Sequence, residues 1–532
     1  MVRTAWLIKN IIGGTIWFEN MIERNPATKI IIPELGDVER GSFSFVGRQS
    51  ELELIEDTLE SGRQGGSMPN SIISFVGPWG TGKTALLEEL AARHRKEPGS
   101  KSIESHPSIT AYVDLGQLIS EGELNKKELV RKIWQQLGEQ MNEIVPNLER
   151  LSDDQLAVVF TESVAEWSNK ATPVILLDTF DALVGKDKES LWWIEENIME
   201  PIIKPEYEKA DRTLFVLAGR QEPKGWRQHE VRRRAEVKGA TRFLNPFDEE
   251  TTSLQTGGNL AVNDAIYRHT FGHPEAAHYL VEVLKAQGLN LATANEEEVN
   301  QVLEQILPTV LNNLTNEILI DVPAELKEIA RHASALRWTH ADPLRYLAER
   351  LGLAEENLKE EYYLNIIEQQ LTDVFYYYAH EGVWRMPQVV RQLLDHSLKL
   401  RDPEAYGRAH QAAFLFHGKH LEDSSDYLAR YVSEVIYHNL ILNELSQEFP
   451  ELVGSIITMA GLVEEWWPKH LDQWWDGHGQ TPPGQEVWQE LVKQLEKDEE
   501  LQALLHPATY TSFLNGAKER AGLSTTDPAS QS

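Results

Sequence analysis

The stretch "ISFVGPWGTGKTALLEEL" (residues 73–90) joins an apolar run to an apolar-periodic segment through a glycine cluster that contains one lysine. Its centre fits G-x-x-x-x-G-K-[ST], the phosphate-binding loop, in the strand-to-helix context that this pattern requires. Glycines let backbone amides turn inward around a phosphate, and the first helical turn adds partial positive charge. The sequence therefore predicts an ATP/ADP site formed by Gly77, Pro78, Trp79, Gly80, Thr81, Gly82, Lys83 and Thr84.

Two side chains of this loop have predicted chemical roles. Lys83 is expected to reach the β- and γ-phosphates, and the Thr84 hydroxyl is expected to hold Mg²⁺. The alternative is a glycine-rich turn without a ligand. The strand before the loop and the helix after it favour the nucleotide site.

A second strand is expected to bring acids to the same site. The run "PVILLDTFDAL" (residues 173–183) is an apolar strand that ends at Asp178 and is followed by Asp181. We expect Asp178 to bind Mg²⁺ through water. Asp181 is the candidate for polarising the attacking water, and a helix N-cap is its alternative role. A third strand, "TLFVLAGR", ends at Arg220, which is expected either near the γ-phosphate or as an exposed strand-end arginine.

Composition limits the class of protein. The chain has 532 residues, a net charge of −32 and no cysteine. Its length suggests several domains, and the acidic excess disfavours broad binding to a phosphate backbone. The lack of thiols excludes disulfides and suits a reducing compartment. The N-terminal segment is interrupted by charged residues and lacks a cleavage site, so a cytoplasmic protein without a membrane anchor is expected.

The pattern along the chain predicts an α/β fold followed by helical modules. From residue 41 to 248, the apolar runs "SIISFVG", "ITAYVDL", "PVILLDTF" and "TLFVLAGR" alternate with amphipathic helices, which is typical of a parallel sheet covered on both faces. A leader (1–40) precedes this domain. Residues 249–306 are predicted to be a helical subdomain, 307–400 a winged helix because helices precede a β-hairpin, 401–522 a helical domain, and 523–532 a disordered tail.

With these motifs in this order, the chain resembles the STAND class of signal-transduction ATPases, which have an AAA-like P-loop core. The segment "FVGRQSELELIEDTL" looks like the leading Val-Gly-Arg box, so the resemblance implies that Val46 and Gly47 lie at the adenine, with Arg48 close to it. "LAGRQEP" resembles the sensor-one motif, which implies γ-phosphate contact by Arg220. "FGHPEAAHYL" resembles the Gly-x-Pro motif, which places Pro274 over the base.

The resemblance implies a switch in which ADP or ATP selects a closed or an open arrangement of domains. Opening would expose surfaces for homo-oligomerisation, triggered by a protein and read by a separate effector protein, in antiphage defence or stress signalling. The leader is expected to engage the effector. The C-terminal helical domain is expected to be the sensor or the partner-docking module.

Two departures from the family pattern affect these expectations. Ala182 follows Asp181 where an Asp-Glu pair is common, which implies slow hydrolysis. In "RMPQVVRQLL", Pro387 and Gln388 stand where the family's Met-His-Asp motif places the histidine that contacts ADP. The resting state is therefore expected to be locked differently or weakly.

Two other functions remain open. A DNA-handling ATPase would need a basic recognition helix, and "PQVVRQLLDHSLKLR" offers only Arg391, Lys399 and Arg401 beside Asp395, so nucleic acid is the less favoured partner. A protein scaffold that binds nucleotide only for stability is the other alternative.

Some remaining residues have a structural interpretation. His269 and His273 have a spacing that can hold a metal, but Pro274 interrupts the helix, so packing or proximity to the base is expected. The tryptophans of the C-terminal domain can be core residues or docking residues. Those concerned are Trp466, Trp467, Trp474, Trp475 and Trp488.

Overall fold

The protein is described here by a computed structural model. The described residues are 45–63, 68, 71–95, 107–120, 123–143, 151–184, 187–204, 212–222, 225–354, 358–378, 381–421, 428–452, 485–504 and 507–523. The predicted leader (1–40), Trp466, Trp467, Trp474, Trp475 and the tail from residue 524 lie outside these ranges.

Nine strands and twenty-one α-helices are found in the described residues. The strands are β1 Ile72–Val76, β2 Ser108–Asp114, β3 Ile119–Ser120, β4 Glu123–Leu124, β5 Thr172–Asp178, β6 Leu214–Gly219, β7 Thr241–Phe243, β8 Tyr376–Tyr378 and β9 Val383–Arg385. The helices up to the end of the sheet are α1 Gln49–Arg63, α2 Lys83–His94, α3 Lys126–Met141, α4 Asp153–Trp167, α5 Asp181–Val184, α6 Lys188–Ile194, α7 Glu200–Ile203 and α8 His229–Ala235. The later helices are α9 Glu249–Thr256, α10 Leu260–Thr270, α11 Pro274–Ala286, α12 Glu296–Ile318, α13 Lys327–His332, α14 Ala341–Arg350, α15 Glu360–Asn365, α16 Gln388–Arg401, α17 Pro403–His420, α18 Leu428–Glu448, α19 Gln485–Lys497, α20 Glu499–Leu504 and α21 Pro507–Arg520.

The central sheet has five parallel strands in the order β2-β5-β6-β1-β7. Four of these strands were predicted, and the predicted parallel α/β fold is confirmed. The fifth, β7, is not evident from the sequence because it has only three residues, two of them exposed. The strand order places β6 between the strand before the phosphate loop and the strand that ends at Asp178. Arg220, which follows β6, therefore lies between the two motifs.

Helices cover both faces of the sheet. On one face Ile72 and Phe215 share a core with residues of α3 and α4, including Trp167. On the other face Ile73 and Val216 share a core with residues of α1 and α2. Because successive side chains of a strand point to opposite faces, the fully buried strands β1, β5 and β6 are apolar at most of their positions on both faces.

Polar residues at the helix starts explain where several helices begin. Ser152 and Gln155 form a capping box at α4, and Asn295 and Glu298 form another at α12. Each pair satisfies two backbone donors that a helix N-terminus otherwise leaves free. These local signals fix the helix boundaries within the larger pattern.

The parts of the chain beyond the sheet are named here by residue range: the helical region (249–306), the hairpin region (307–400) and the C-terminal region (401–523). The sheet region is 45–248. The helical and hairpin regions share one hydrophobic core, which extends from Val262 to Met386 and on to Ala413. The predicted boundary at 306/307 falls inside α12, and the one at 400/401 falls at the end of α16. The division into domains stays a prediction.

The hairpin region contains the two β runs expected from the sequence. β8 and β9 pair antiparallel, and Thr339 adds a bridge to Trp384. The C-terminal region packs on this region through a core that contains Trp338, Val383 and Trp488. Trp488 is thus a core residue. Within the described ranges, none of the helices has the length and apolar content to cross a bilayer.

The sheet region joins the helical region at a close backbone contact. Phe247 N–H donates to Gly272 O at 2.8 Å. Gly272 has φ +72°, and a Cβ on it would lie 1.9 Å from Phe247 O. No side chain fits there, because both the backbone angle and the space exclude it.

We expect Gly272→Ala to destabilise this joint strongly. Gly288 is the matched control because its φ is +81° and no atom of the described residues lies within 4 Å of a Cβ added there. Gly288→Ala should cost about 1–2 kcal/mol from the left-handed backbone alone. Gly272→Ala should cost about 4 kcal/mol or more, because the backbone must also separate. Urea unfolding of both variants measures the difference, and equal losses would contradict the close approach.

Candidate nucleotide-binding site

The phosphate loop lies between β1 and α2 with its lysine already held. The Lys83 ammonium donates to Gly77 O and to Pro78 O, both at 2.7 Å. Gly80 and Gly82 have φ of +72° and +85°, in the left-handed region that glycine tolerates. Burial lowers the pKa of Lys83 to about 8, although Asp181 opposes the shift. The loop therefore holds a cation at its centre.

One cavity of about 1120 Å³ surrounds this loop. Its walls come from the sheet region, the helical region and the hairpin region. The predicted site residues that line it are Val46, Arg48, Trp79, Gly80, Gly82, Lys83, Thr84, Asp178, Asp181, Arg220 and Pro274.

The other predicted loop residues support the cavity from behind. Thr81 is fully buried, and its hydroxyl donates to Pro78 O at 2.9 Å. A Cβ on Gly77 would lie 2.8 Å from Thr81 Oγ1. Gly47 has φ +71° and packs against Phe247 and Thr251. These residues shape the loop and its surroundings without facing the cavity.

Asp178 lies at the carboxyl end of β5 in a polar setting. Its carboxylate accepts from the Tyr112 hydroxyl at 3.1 Å and from Thr179 N–H at 2.8 Å. Thr179 has φ +55°, which is rare for a β-branched residue. The Thr179 hydroxyl donates to Asp114 at 2.8 Å, which helps to hold this turn. Strained residues of this kind are concentrated at functional sites, and the sequence carries no signal for this one.

Asp181 links β5 to β6. Its Oδ1 accepts the backbone N–H of Arg220 at 2.8 Å, and it lies where a Cβ on Gly219 would approach it to 2.7 Å. This hydrogen bond therefore serves the neighbouring strand instead of the helix that begins at Asp181. The same carboxylate lines the cavity, so the role in positioning water stays a prediction.

The Arg220 guanidinium is paired with two acids of the hairpin region. Its Nη1 lies 2.5 Å from Asp321 Oδ2 and 3.7 Å from Asp373 Oδ2. Its side chain is 22% exposed, so the alternative of a free strand-end arginine does not describe it. Burial opposes the charge, but Asp373, Asp321 and Asp181 together raise the pKa of Arg220. Arg220 thus connects the sheet to the hairpin region at the cavity.

Arg48 is buried beneath the loop. It donates to Thr81 O and to Asn245 O, both at 2.7 Å, and its guanidinium lies 4.8 Å from the centre of the Phe247 ring. Burial lowers the pKa of Arg48. The contacts show a residue that holds the loop to the segment leading into the helical region.

His273 holds the loop from the other side. Its Nδ1 accepts Ala276 N–H at 3.1 Å and caps α11, so Nε2 carries the proton that is donated to Trp79 O at 2.8 Å. The ring is stacked on Trp79 and lies where a Cβ on Gly80 would approach it to 2.5 Å. His269 instead contacts His396 of α16 at 3.0 Å. Both histidines therefore have packing roles, as the sequence predicted.

Several cavity residues were missed by sequence reasoning. Asp321 and Asp373 carry no local signal, because acids are common in this chain. The missed residues that line the cavity include Phe45, Thr179, Phe247, Gln255, His278, Asp321, Gln369, Gln370 and Asp373. Phe247 lies in the segment "LNPFDEE", directly before the helical region.

The residues present fit a magnesium nucleotide. Thr84 supplies an exposed hydroxyl and Asp178 a buried carboxylate, and both line the same cavity. Oxygen ligands of this type are those that Mg²⁺ prefers. Gly82 has open space where a side chain would stand, which leaves its backbone accessible to a phosphate. Thr84 and Asp178 are thus the residues that would hold the ion.

The burial of His273 predicts a pH dependence of stability. Burial lowers its pKa to about 4, and Lys83 and Arg48 add to the shift. The unfolded ring binds a proton near pH 6.5, so the unfolded state takes up more protons as the pH falls. The contribution of the neutral His273 ring to the free energy of unfolding is therefore fully present above pH 6.5, and it is lost as the pH falls below that value. At pH 5.5 the loss through His273 should be on the order of 1 kcal/mol.

The test compares urea unfolding of wild type and His273→Asn from pH 7 to pH 5.5. Asparagine retains a capping acceptor, so the variant should fold and lose less stability on acidification. His229→Asn is the control because that side chain is 75% exposed. Equal pH slopes for wild type and His273→Asn would contradict the neutral buried ring.

Comparison with known proteins agrees with this site. Residues 44–197 match the family model of the AAA ATPase domain. A comparison with curated protein sequences gave no significant match.

Similar solved structures include the Aeropyrum pernix ORC2 protein in its ADPNP-ADP complexes (13% identity, 69% of this chain and 97% of that chain, TM-score 0.40). They also include the Aeropyrum pernix ORC1 protein in complex with DNA (14% identity, 69% and 96%, TM-score 0.35) and Drosophila ORC bound to DNA (14% identity, 70% and 94%, TM-score 0.32). At these identities and TM-scores they carry no argument about the function of this chain. The part of the chain that is similar to the AAA ATPase domain contains the phosphate loop and the strand that ends at Asp178.

Proposed function

We propose that this protein is an ATP/ADP-gated switch of the STAND type, in which the bound nucleotide sets how the hairpin region sits against the sheet. The observation that carries the proposal is the single cavity around Lys83, whose walls come from three regions of the chain. A ligand at such a junction contacts all three at once, so it can favour one arrangement over another.

Arg220 is the residue through which a γ-phosphate would act. Its guanidinium is bound by Asp321 and Asp373 at one wall of the cavity. A γ-phosphate would compete with these carboxylates for the same donors. A hydrogen bond to a charged group contributes about 1.5–3 kcal/mol, whereas moving a switch from 1:99 to 99:1 takes about 5.5 kcal/mol. Arg220 can therefore supply a large part of the difference between the ATP and ADP states.

Lys83 would contribute to binding in both states. Its ammonium now donates to two loop carbonyls, and phosphate oxygens would take their place. Hydrolysis is proposed to be slow, because Asp181 already accepts the Arg220 amide and is followed by Ala182 instead of a second acid. The main effect of ATP hydrolysis would then be to return the switch to its ADP state, and the supply of energy would be secondary.

The resting lock is proposed to differ from the family's histidine contact. Pro387 is the N-cap of α16, and neither it nor Gln388 is among the residues that line the cavity. The hairpin region instead reaches the cavity through Gln369, Gln370 and Asp373. The Arg220 ion pairs are the proposed substitute. Opening would then lead to homo-oligomerisation and to contact with an effector protein, after a protein trigger.

A DNA-handling role is the main alternative. In this chain the cations of α16 are already paired: Arg391 with Glu500, Lys399 with Glu444 and Glu448, and Arg401 with Glu328. These pairs weaken the case for α16 as a recognition helix. Salt-dependent binding of a labelled duplex by wild type, reduced by Lys399→Ala, would favour the DNA role over the switch.

The first test of the proposal is nucleotide binding. Lys83→Ala should weaken binding of ATP by about 10- to 100-fold, because it removes a charge-assisted contact. Isothermal titration calorimetry measures the change. Lys285→Ala is the control, since that lysine lies on the exposed face of α11, paired with Glu282. Equal affinities of the two variants for ATP would contradict the binding of the nucleotide at Lys83.

The second test concerns the ion pairs. In the variant Asp321→Asn/Asp373→Asn, Arg220 is free to bind the γ-phosphate, so the open form should be reached with ATP at lower concentration of trigger or without it. Size-exclusion chromatography with ATP and Mg²⁺ should show a larger share of oligomer than in wild type. Asp342→Asn is the control, because this acid pairs only with Arg345 on its own helix in the contacts described. A variant that binds ATP but stays monomeric like wild type would contradict the proposed role of the Arg220 ion pairs and favour a nucleotide-stabilised scaffold.

A further inference from the structure

A second cluster of polar groups lies far along the chain from the phosphate loop, in the core between α17 and α18. Its members are His417 of α17 and Glu434 and His438 of α18. They are 0%, 2% and 0% exposed. Glu434 and His438 are four residues apart on one helix, which places them on the same face.

Four polar atoms of this cluster have no hydrogen-bond partner among the described residues. Among the described residues, both ring nitrogens of His417 lack a hydrogen bond, as do Glu434 Oε2 and His438 Nε2. Buried polar groups are nearly always hydrogen-bonded. Four such atoms at one place are therefore unusual in a buried core.

The unpartnered atoms converge. One ligand atom from each residue lies within 4.8 Å of the others, and His438 Nε2 is 3.6 Å from Glu434 Oε2. Ligands of a tetrahedral Zn²⁺ lie about 3.3 Å apart, since each bond is about 2 Å long. Small side-chain rotations would bring the three atoms to that distance.

Hydrogen bonds outside the cluster set the tautomer of His438. Its Nδ1 lies 3.0 Å from His410 Nδ1, and His410 Nε2 lies 3.2 Å from Asp395 Oδ1. The Asp395 carboxylate accepts the His410 Nε2 proton, so His410 Nδ1 must accept from His438. The lone pair of His438 Nε2 then faces Glu434 and His417. A chain from a ligating histidine to a carboxylate is the usual support of a metal ligand.

The surrounding charges favour a cation. Glu434 Oε1 accepts from Arg337, which also binds Asp498 at 2.7 Å, and Arg391 binds Glu500. The network holds two guanidiniums, Arg337 and Arg391, and four carboxylates, Asp395, Glu434, Asp498 and Glu500. The carboxyl groups therefore outnumber the guanidiniums by two in this network.

We propose that His417, Glu434 and His438 form a buried site for a divalent transition-metal cation, with Zn²⁺ as the best fit. Two imidazoles and one carboxylate are a recognised ligand set for this ion. The site is separate from the magnesium position at Thr84 and Asp178, and it does not depend on the nucleotide switch. The metal would hold α17 to α18 beside Trp338, whose ring centre lies 5.3 Å from that of His417. It would thereby hold together two helices of the C-terminal region.

The test uses the full chain, stripped with a chelator and then titrated with Co²⁺ as the probe. Wild type should bind one equivalent tightly, seen as visible d–d absorption and confirmed by elemental analysis after Zn²⁺ loading. His417→Gln and His438→Gln should each lose that equivalent. His269→Gln should keep it, because this histidine is also paired with a second histidine but lies in α10. Zn²⁺ should raise the thermal midpoint of wild type and of His269→Gln only.

Other outcomes decide against the site. Wild type that binds no Co²⁺, or that binds the same amount as His417→Gln, would overturn the proposal, since any metal would then sit elsewhere. Where a variant does not fold, X-ray absorption of Zn²⁺-loaded wild type is the deciding measurement. It should show nitrogen and oxygen ligands at about 2.0–2.1 Å with scattering from two imidazole rings, and a shell of water oxygens alone would exclude the site.

Discussion

The buried guanidinium of Arg48 is the constraint on which the candidate site depends. A buried charged group needs hydrogen-bond partners, and the two Nη groups of Arg48 donate to Asn245 O of the link after β7 and to Thr81 O of the phosphate loop. The loop is thereby fixed to the strand edge from below, while His273 fixes its tip from the helical region. Two buried polar side chains, not the loop's own glycines, set where the loop stands.

The strand order brings the candidate catalytic groups of the site together. Because β6 lies between β1 and β5, the residue that follows β6 stands between the phosphate loop and Asp178. That residue is Arg220, and its backbone is held by Asp181 while its side chain reaches two acids of the hairpin region. One position therefore connects the sheet, the catalytic acid candidate and the part of the chain that is proposed to move.

Much of the fold and site follows from local pattern in the sequence. The strands β1, β5 and β6 are largely apolar runs, and the loop, Asp178 and Arg220 stand at their ends, so their meeting could be predicted. What could not be predicted depends on contacts between distant positions. Asp321 lies 101 residues from Arg220 and has no pattern of its own, the left-handed Thr179 has no sequence signature, and β7 is stabilised by β1 rather than by its three residues. The pairing of His417 with Glu434 and His438 likewise needs α17 to pack on α18.

The helix α12 crosses from the helical region into the hairpin region without a break, and the two regions have a common core from Val262 to Met386. Separating them would expose that core, at about 25 cal/mol for each Å² of apolar surface. In the proposed switch the two regions would therefore move together as one packed unit. This unit would turn at the short link of residues 244–248, and opening would have to break its described contacts with the sheet region, among them the Arg220 ion pairs and the hydrogen bond from His273 to Trp79 O. The angle between this unit and the sheet would then depend on the nucleotide bound between them.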